Sequence, residues 1–208
     1  VAVSKKFSAS HIREAYAAGL RVFGENYVQE FSEKRPQLDG LDGATFHLIG
    51  HLQSNKTRVA CELFDVVQTA DSPKLLKRLD ASAAERGLHL EVLLELKLSH
   101  EESKSGAAEA DLPTLLETAG HCPNLRVSGL MTVPPWSENA EQSRPYFRKL
   151  AELARRFSSD YDLTKLSMGM SGDLEIAIEE GATMVRVGTA LFGARPKPAL
   201  NKEAPKAS

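Results

Sequence analysis

The 208-residue sequence has little cysteine, no surplus of charge and no long apolar run. Its two cysteines, Cys61 and Cys122, lie far apart, and neither has a metal-ligand neighbour at short spacing. That excludes a disulfide scaffold and leaves no metal site to expect, and two free thiols point to a reducing, cytoplasmic setting. The formal net charge of −2 removes any reason to expect nucleic acid or an anionic membrane surface as main partner. No stretch approaches the roughly 20 apolar residues of a membrane-spanning helix, and no secretory leader pattern opens the chain. The sequence begins without Met, directly in an apolar strand, so residues are expected upstream.

What is present is a regular alternation of short β-prone runs and amphipathic stretches. Strands are expected at Val1–Ser4, Arg21–Gly24, Phe46–Ile49, Asp65–Thr69, His89–Leu98, Leu125–Met131, Lys165–Met168 and Met184–Val187. Between them fall helices around Ile12 and Tyr16, around Tyr27, Val28 and Phe31, and over Asn55–Leu63. Others start at Pro73 and Pro113, and two more cover about 139–157 and Asp173–Glu179. Ser72-Pro73 is a helix start by itself, a capping hydroxyl followed by proline in the first turn. The His89–Leu98 run is apolar almost throughout, which suits a strand covered on both faces. Eight strand-plus-helix units imply a parallel sheet closed into a single-domain (β/α)8 TIM barrel, with an open doubly wound sheet as the alternative. Residues 1–195 form the barrel in this reading, and 196–208 a solvated tail.

Two stretches near the end of the chain stop abruptly at small residues and hydroxyls. They are Ser167-Met168-Gly169-Met170-Ser171-Gly172-Asp173 and Val185 to Gly193, with Gly188 and Thr189 at the centre of the second. Side by side, two such strand ends make an anion cradle of backbone N–H groups and hydroxyls, or merely two turns. Lys5 directly follows the first strand, where it would enter the barrel mouth. A desolvated amine there has a lowered pKa and attacks aldehydes; a solvated lysine at a strand end is the plainer reading. Lys6 points the other way, to the surface. A lysine opposite a phosphate cradle suits pyridoxal 5′-phosphate, and equally a sugar phosphate on a lysine aldolase. Arg186, inside an apolar strand, needs an acceptor: a pyridine nitrogen fits, as does an ion pair with Glu175 or Asp173. His51 is either a general base or a loop anchor near Asn55, and Ser103, Lys104 and Ser105 either a lid or a polar loop. Met131, Met168 and Met170 read as packing residues.

Taken together, VAVSK at 1–5, FGENYVQE at 23–30, HLIGHLQSNK at 47–56, ESKSG at 102–106, GLM at 129–131, LSMGMSGD at 166–173 and VRVGTALFG at 185–193 resemble the pyridoxal phosphate homeostasis proteins. These are single-domain relatives of the alanine racemase barrel, and the likeness covers essentially the whole chain. The resemblance implies Lys5 as the aldimine lysine, Ser171, Gly188 and Thr189 around the phosphate, Arg186 at the ring nitrogen and Asn26 near the ring face. Lys6-Phe7-Ser8 departs from the family pattern, which often carries proline there, and the family usually has a helix before its first strand.

Two functions are then in play. One is a carrier that holds pyridoxal phosphate, buffers the free aldehyde and passes it to apoenzymes, as a monomer or weak dimer. The other is an amino-acid racemase, which needs proton transfer on both faces of the substrate carbon. In the resembled racemases a tyrosine from a separate C-terminal domain supplies the second group. Here Tyr16, Tyr27, Tyr146 and Tyr161 all fall in predicted helices or their flanks, and none is an obvious substitute. A permanently charged arginine at the ring nitrogen also weakens the ring as an electron sink. The carrier reading is preferred.

Overall fold

A computed structural model describes residues 1–99 and 105–194. Its strands are β1 Ala2–Val3, β2 Val22–Glu25, β3 Thr45–Leu48, β4 Val66–Ala70, β5 Leu90–Lys97, β6 Ala107–Ala108, β7 Leu125–Met131, β8 Lys165–Met170 and β9 Met184–Arg186. The helices are α1 Ala9–Ala17, α2 Val28–Lys34, α3 Thr57–Leu63, α4 Pro73–Ala84, α5 Leu112–Gly120, α6 Arg144–Phe157, α7 Leu174–Glu179 and α8 Thr189–Phe192. Consecutive barrel strands pair in parallel from β1 round to β9, with β6 a short side branch on β5. The ring closes where Val3 N–H donates to Val187 O at 2.8 Å and Val187 N–H to Val1 O at 2.9 Å. Eight strands therefore enclose a lumen, as the alternation demanded, and the open-sheet alternative falls away.

Strand alternation sorts the side chains into two cores. Outward residues such as Phe23, Phe46, Val92 and Leu94 pack beneath the helices. Phe31 of α2 lies between Phe46 and Phe64, with ring centroids 4.9 and 4.8 Å away. Inward, Val66, Leu93 and Met131 form a small apolar cluster backed by Val133 and Met184. Ser72 accepts from the Leu75 amide and starts α4, whose Leu75, Leu76, Leu79 and Ala83 are buried.

Differences from the sequence reading are local. The helix expected from residue 139 begins as a 3-10 turn, Ala140–Ser143, and becomes α-helical only at Arg144. Pro145 has no N–H to give and so fits the first turn. Tyr27, expected in the second helix, sits just ahead of α2 and is half exposed. β6 and α8 were not expected; at two and four residues they are too short to carry a period. Ser103, Lys104 and the tail 196–208 lie outside the described residues. Among the described residues no helix is long and apolar enough to cross a membrane.

Phe31 is fully buried between two rings, so Phe31→Ala should cost about 3–5 kcal/mol of unfolding free energy, measured by urea denaturation.

Candidate functional site

The C-terminal strand ends converge on a cavity of about 470 Å³. Val3, Lys5 and Phe7 reach it from β1 and its turn, Asn26 from the end of β2, and Ile49 from the end of β3. Val133, Pro135, Trp136 and Ser137 wall it after β7; Met170 to Asp173 close it after β8, and Arg186, Gly188 and Thr189 after β9. Lys5, Asn26, Ser171, Arg186, Gly188 and Thr189 thus share one space. His51 is not among its walls: its ring is exposed, with Nδ1 3.8 Å from Asp71 Oδ2. A second cavity of about 480 Å³ opens near the starts of β3, β4 and β5 and contains none of these six residues.

Each side chain is placed by a local cause. Alternation along β1 buries Ala2 and Ser4 outward and sends Val3 and Lys5 toward the lumen. Gly50 makes room for Asn26, since a Cβ at position 50 would stand 2.3 Å from the Asn26 carbonyl oxygen. Asn26 Oδ1 is buried at the cavity wall and has no hydrogen-bond partner among the described residues, an acceptor open to a donor. Asp173 is engaged at both oxygens, accepting from Ser143 Oγ at 2.9 Å and from the Met170 amide at 2.7 Å, which fixes the Met170–Asp173 turn. Beyond Gly172 and Gly193 there is open space where a side chain would start. The Thr189 and Ala190 amides precede the first backbone bonds of α8, which run from Leu191 and Phe192 to Gly188 O.

Arg186 is 4% exposed and held from behind. It donates to Ser167 Oγ at 2.7 Å and to Thr132 O at 2.9 Å, which leaves further N–H donors of its five for the cavity. The ion pair with Glu175 or Asp173 that sequence left open is replaced by this neutral seat. Burial lowers its pKa to about 10, partly offset by Glu95 and Asp173, so it remains charged at neutral pH. Behind it runs an ordered chain across the lumen. Ser167 Oγ accepts from Arg186 and donates to Gln68 Oε1 at 2.6 Å; Gln68 Nε2 donates to His47 Nδ1 at 2.7 Å. His47 must be neutral to accept there, and burial holds its pKa down to about 4.

Glu95, also in the lumen, has one buried oxygen without a partner among the described residues. Burial and the neighbouring Asp71 push its pKa up to about 7, against the pull of Arg186. Sequence reasoning missed Glu95, Gln68 and His47, although a polar residue within LEVLLELK or VVQTA is the available signal. It also missed the Val133–Ser137 wall, announced by Pro-Pro-Trp directly after a strand.

The model of the alanine racemase N-terminal domain matches residues 2–196. The pyridoxal phosphate homeostasis protein of Pseudomonas aeruginosa is 49% identical over 196 residues, covering 94% of this chain and 84% of its own. The chain belongs to the pyridoxal phosphate homeostasis protein family. PipY of Synechococcus elongatus, a family member solved with pyridoxal phosphate bound, is 43% identical with a TM-score of 0.85, over 93% of this chain and 91% of that one. The alanine racemase of Bartonella henselae is 16% identical with a TM-score of 0.72, over 96% of this chain and 55% of that one, and shares the fold. Among the described residues of this family member no cluster of His, Cys, Asp or Glu is set to hold a metal.

The lumen groups make a pH prediction. Between pH 4.5 and about 7 Glu95 keeps a proton when folded that it loses when unfolded, so its contribution to stability falls as pH rises. Between about 4 and 6.5 His47 is neutral when folded and protonated when unfolded, so its contribution rises with pH. Each slope is worth on the order of 3 kcal/mol, and in the wild type they oppose one another. Glu95→Gln should therefore show stability rising from pH 4.5 to 6.5, and His47→Asn stability falling over that range, both by urea denaturation.

Proposed function

We propose that this chain binds pyridoxal phosphate covalently through Lys5 and holds it for delivery to cytoplasmic apoenzymes, as a monomer or weak dimer. The carrying observation is one cavity in which the Lys5 amine, the unpartnered Asn26 acceptor, the Arg186 donors and the Ser171 and Thr189 turns come together. When bound, pyridoxal phosphate supplies an aldehyde carbon as electrophile and a conjugated pyridine ring. Lys5 is the amine for that carbon. Ser171, Gly188 and Thr189 receive the phosphate with backbone amides and hydroxyls. Arg186 donates toward the ring nitrogen and, having no proton to give up at neutral pH, keeps it unprotonated. Asn26 would stand near the ring face. The likeness to PipY with its bound cofactor supports the ligand class. The buried free thiols of Cys61 and Cys122 suit a reducing compartment.

Holding without turnover is supported by what lines the cavity. Among the described residues the walls include neither a tyrosine nor a histidine, and both Asp173 oxygens are occupied. Racemization requires a second proton donor opposite Lys5, and no tyrosine or histidine among the described wall residues offers one.

The purified chain with pyridoxal phosphate should show a visible absorption band, and borohydride should fix the cofactor onto Lys5. Lys5→Ala should lose both. Sustained racemization of a common amino acid by the wild type would defeat the carrier reading, and trapping of a sugar phosphate in place of the chromophore would favour an aldolase.

A further inference from the structure

FGENYVQE sends only Asn26 into the cavity; its two glutamates face elsewhere. Glu25 lies under α2 with no solvent exposure, and Lys34 of that helix meets it there. Lys34 Nζ stands 2.8 Å from Glu25 Oε1, 2.6 Å from Glu30 Oε1 and 3.1 Å from the Ser4 carbonyl oxygen, to which it donates. Ser4 Oγ donates to Glu25 Oε1 at 2.8 Å. On the other side of Lys5, the Lys6 amide donates to Glu30 Oε1.

The backbone between these ties is a tight turn. Phe7 N–H closes onto Ser4 O at 3.1 Å, which puts Lys5 and Lys6 at the two central positions. Lys6 has φ +66°, alone among the described non-glycine residues in being positive. Left-handed backbone crowds Cβ against the carbonyl and is the place where such turns take glycine. A lysine stays there because neighbouring groups hold it. The groups holding it are the carboxylate on its N–H and the ammonium on the Ser4 carbonyl.

We propose that Glu25, Glu30 and Lys34 form an ionic clamp that fixes the Ser4–Phe7 turn and thereby aims Lys5 into the cavity. They are positioning residues, and the inference rests on Lys5 being the cofactor lysine. Glu30 acts on the strained residue directly; Lys34 bridges the two carboxylates to Ser4, and Glu25 anchors Lys34 from the buried side.

The test measures pyridoxal phosphate release from the loaded full chain and the yield of borohydride fixation at Lys5. Glu30→Ala removes the acceptor for the Lys6 amide and should speed release roughly tenfold, about 1.4 kcal/mol. Glu30→Gln keeps an acceptor for the Lys6 amide but loses the charge that pairs with Lys34, and should release faster than wild type and more slowly than Glu30→Ala. Lys6→Gly, added to Glu30→Ala, removes the steric penalty and should restore slow release. A clamp that merely stabilised the fold would lower the melting temperature of Glu30→Ala without changing release, and glycine at position 6 would not rescue it. Wild-type release in Glu30→Ala, or failure of the Lys6→Gly rescue, overturns the proposal. Absence of fixation at Lys5 in the wild type would instead overturn the cofactor-lysine reading beneath it.

Discussion

The seam between β1 and β9 is the constraint on which the site depends. Two backbone hydrogen bonds, Val3 N–H to Val187 O and Val187 N–H to Val1 O, join segments more than 180 residues apart in sequence. They bring the turn after β1 against the turn after β9, so Lys5, Gly188 and Thr189 become neighbours. A contact of that sequence separation costs more loop-closure entropy than a pairing between successive strands. The strands elsewhere in the ring pair with sequence neighbours and need no such reach.

Inside the ring, stability and site geometry pull against each other. An apolar lumen would pack like the Val66, Leu93 and Met131 cluster, with no polar group to satisfy. The chain instead buries Arg186, Glu95, Gln68, His47 and Ser167 there. Lower down, Glu91 accepts from Ser128 at 2.6 Å and also pairs with Lys165 and Arg126. Most of these groups are matched, which limits the desolvation cost. Glu95 is the exception, with an oxygen that has no partner among the described residues, and burial and Asp71 together disfavour its charged form.

Much of the architecture was legible because parallel barrels write themselves as alternating periods. The continuous apolar run of β5 and the Ser72-Pro73 start of α4 each carried one unambiguous physical meaning. The site was legible where a residue type was out of place, as with Arg186 in an apolar strand or Lys5 at a strand end. Its partners were not, because they depend on which strands become neighbours across the lumen. Nothing in the sequence near Gln68 says that Ser167, 99 positions later, will donate to it. The Glu25, Glu30 and Lys34 cluster was obscured in the same way: a helix-facing glutamate and an i,i+4 pair look like ordinary surface charge until the burial of Lys34 is seen.

The chain from Arg186 through Ser167 and Gln68 to His47 has one further consequence. Every donor in it points the same way, and it begins at a guanidinium, which has no lone pair, and passes through a carboxamide, which does not relay. Water molecules or imidazoles in series would form a Grotthuss wire from one mouth of the barrel to the other. This series is an insulator: it relays no proton, and transmits only orientation from His47 to the guanidinium under the upper cavity.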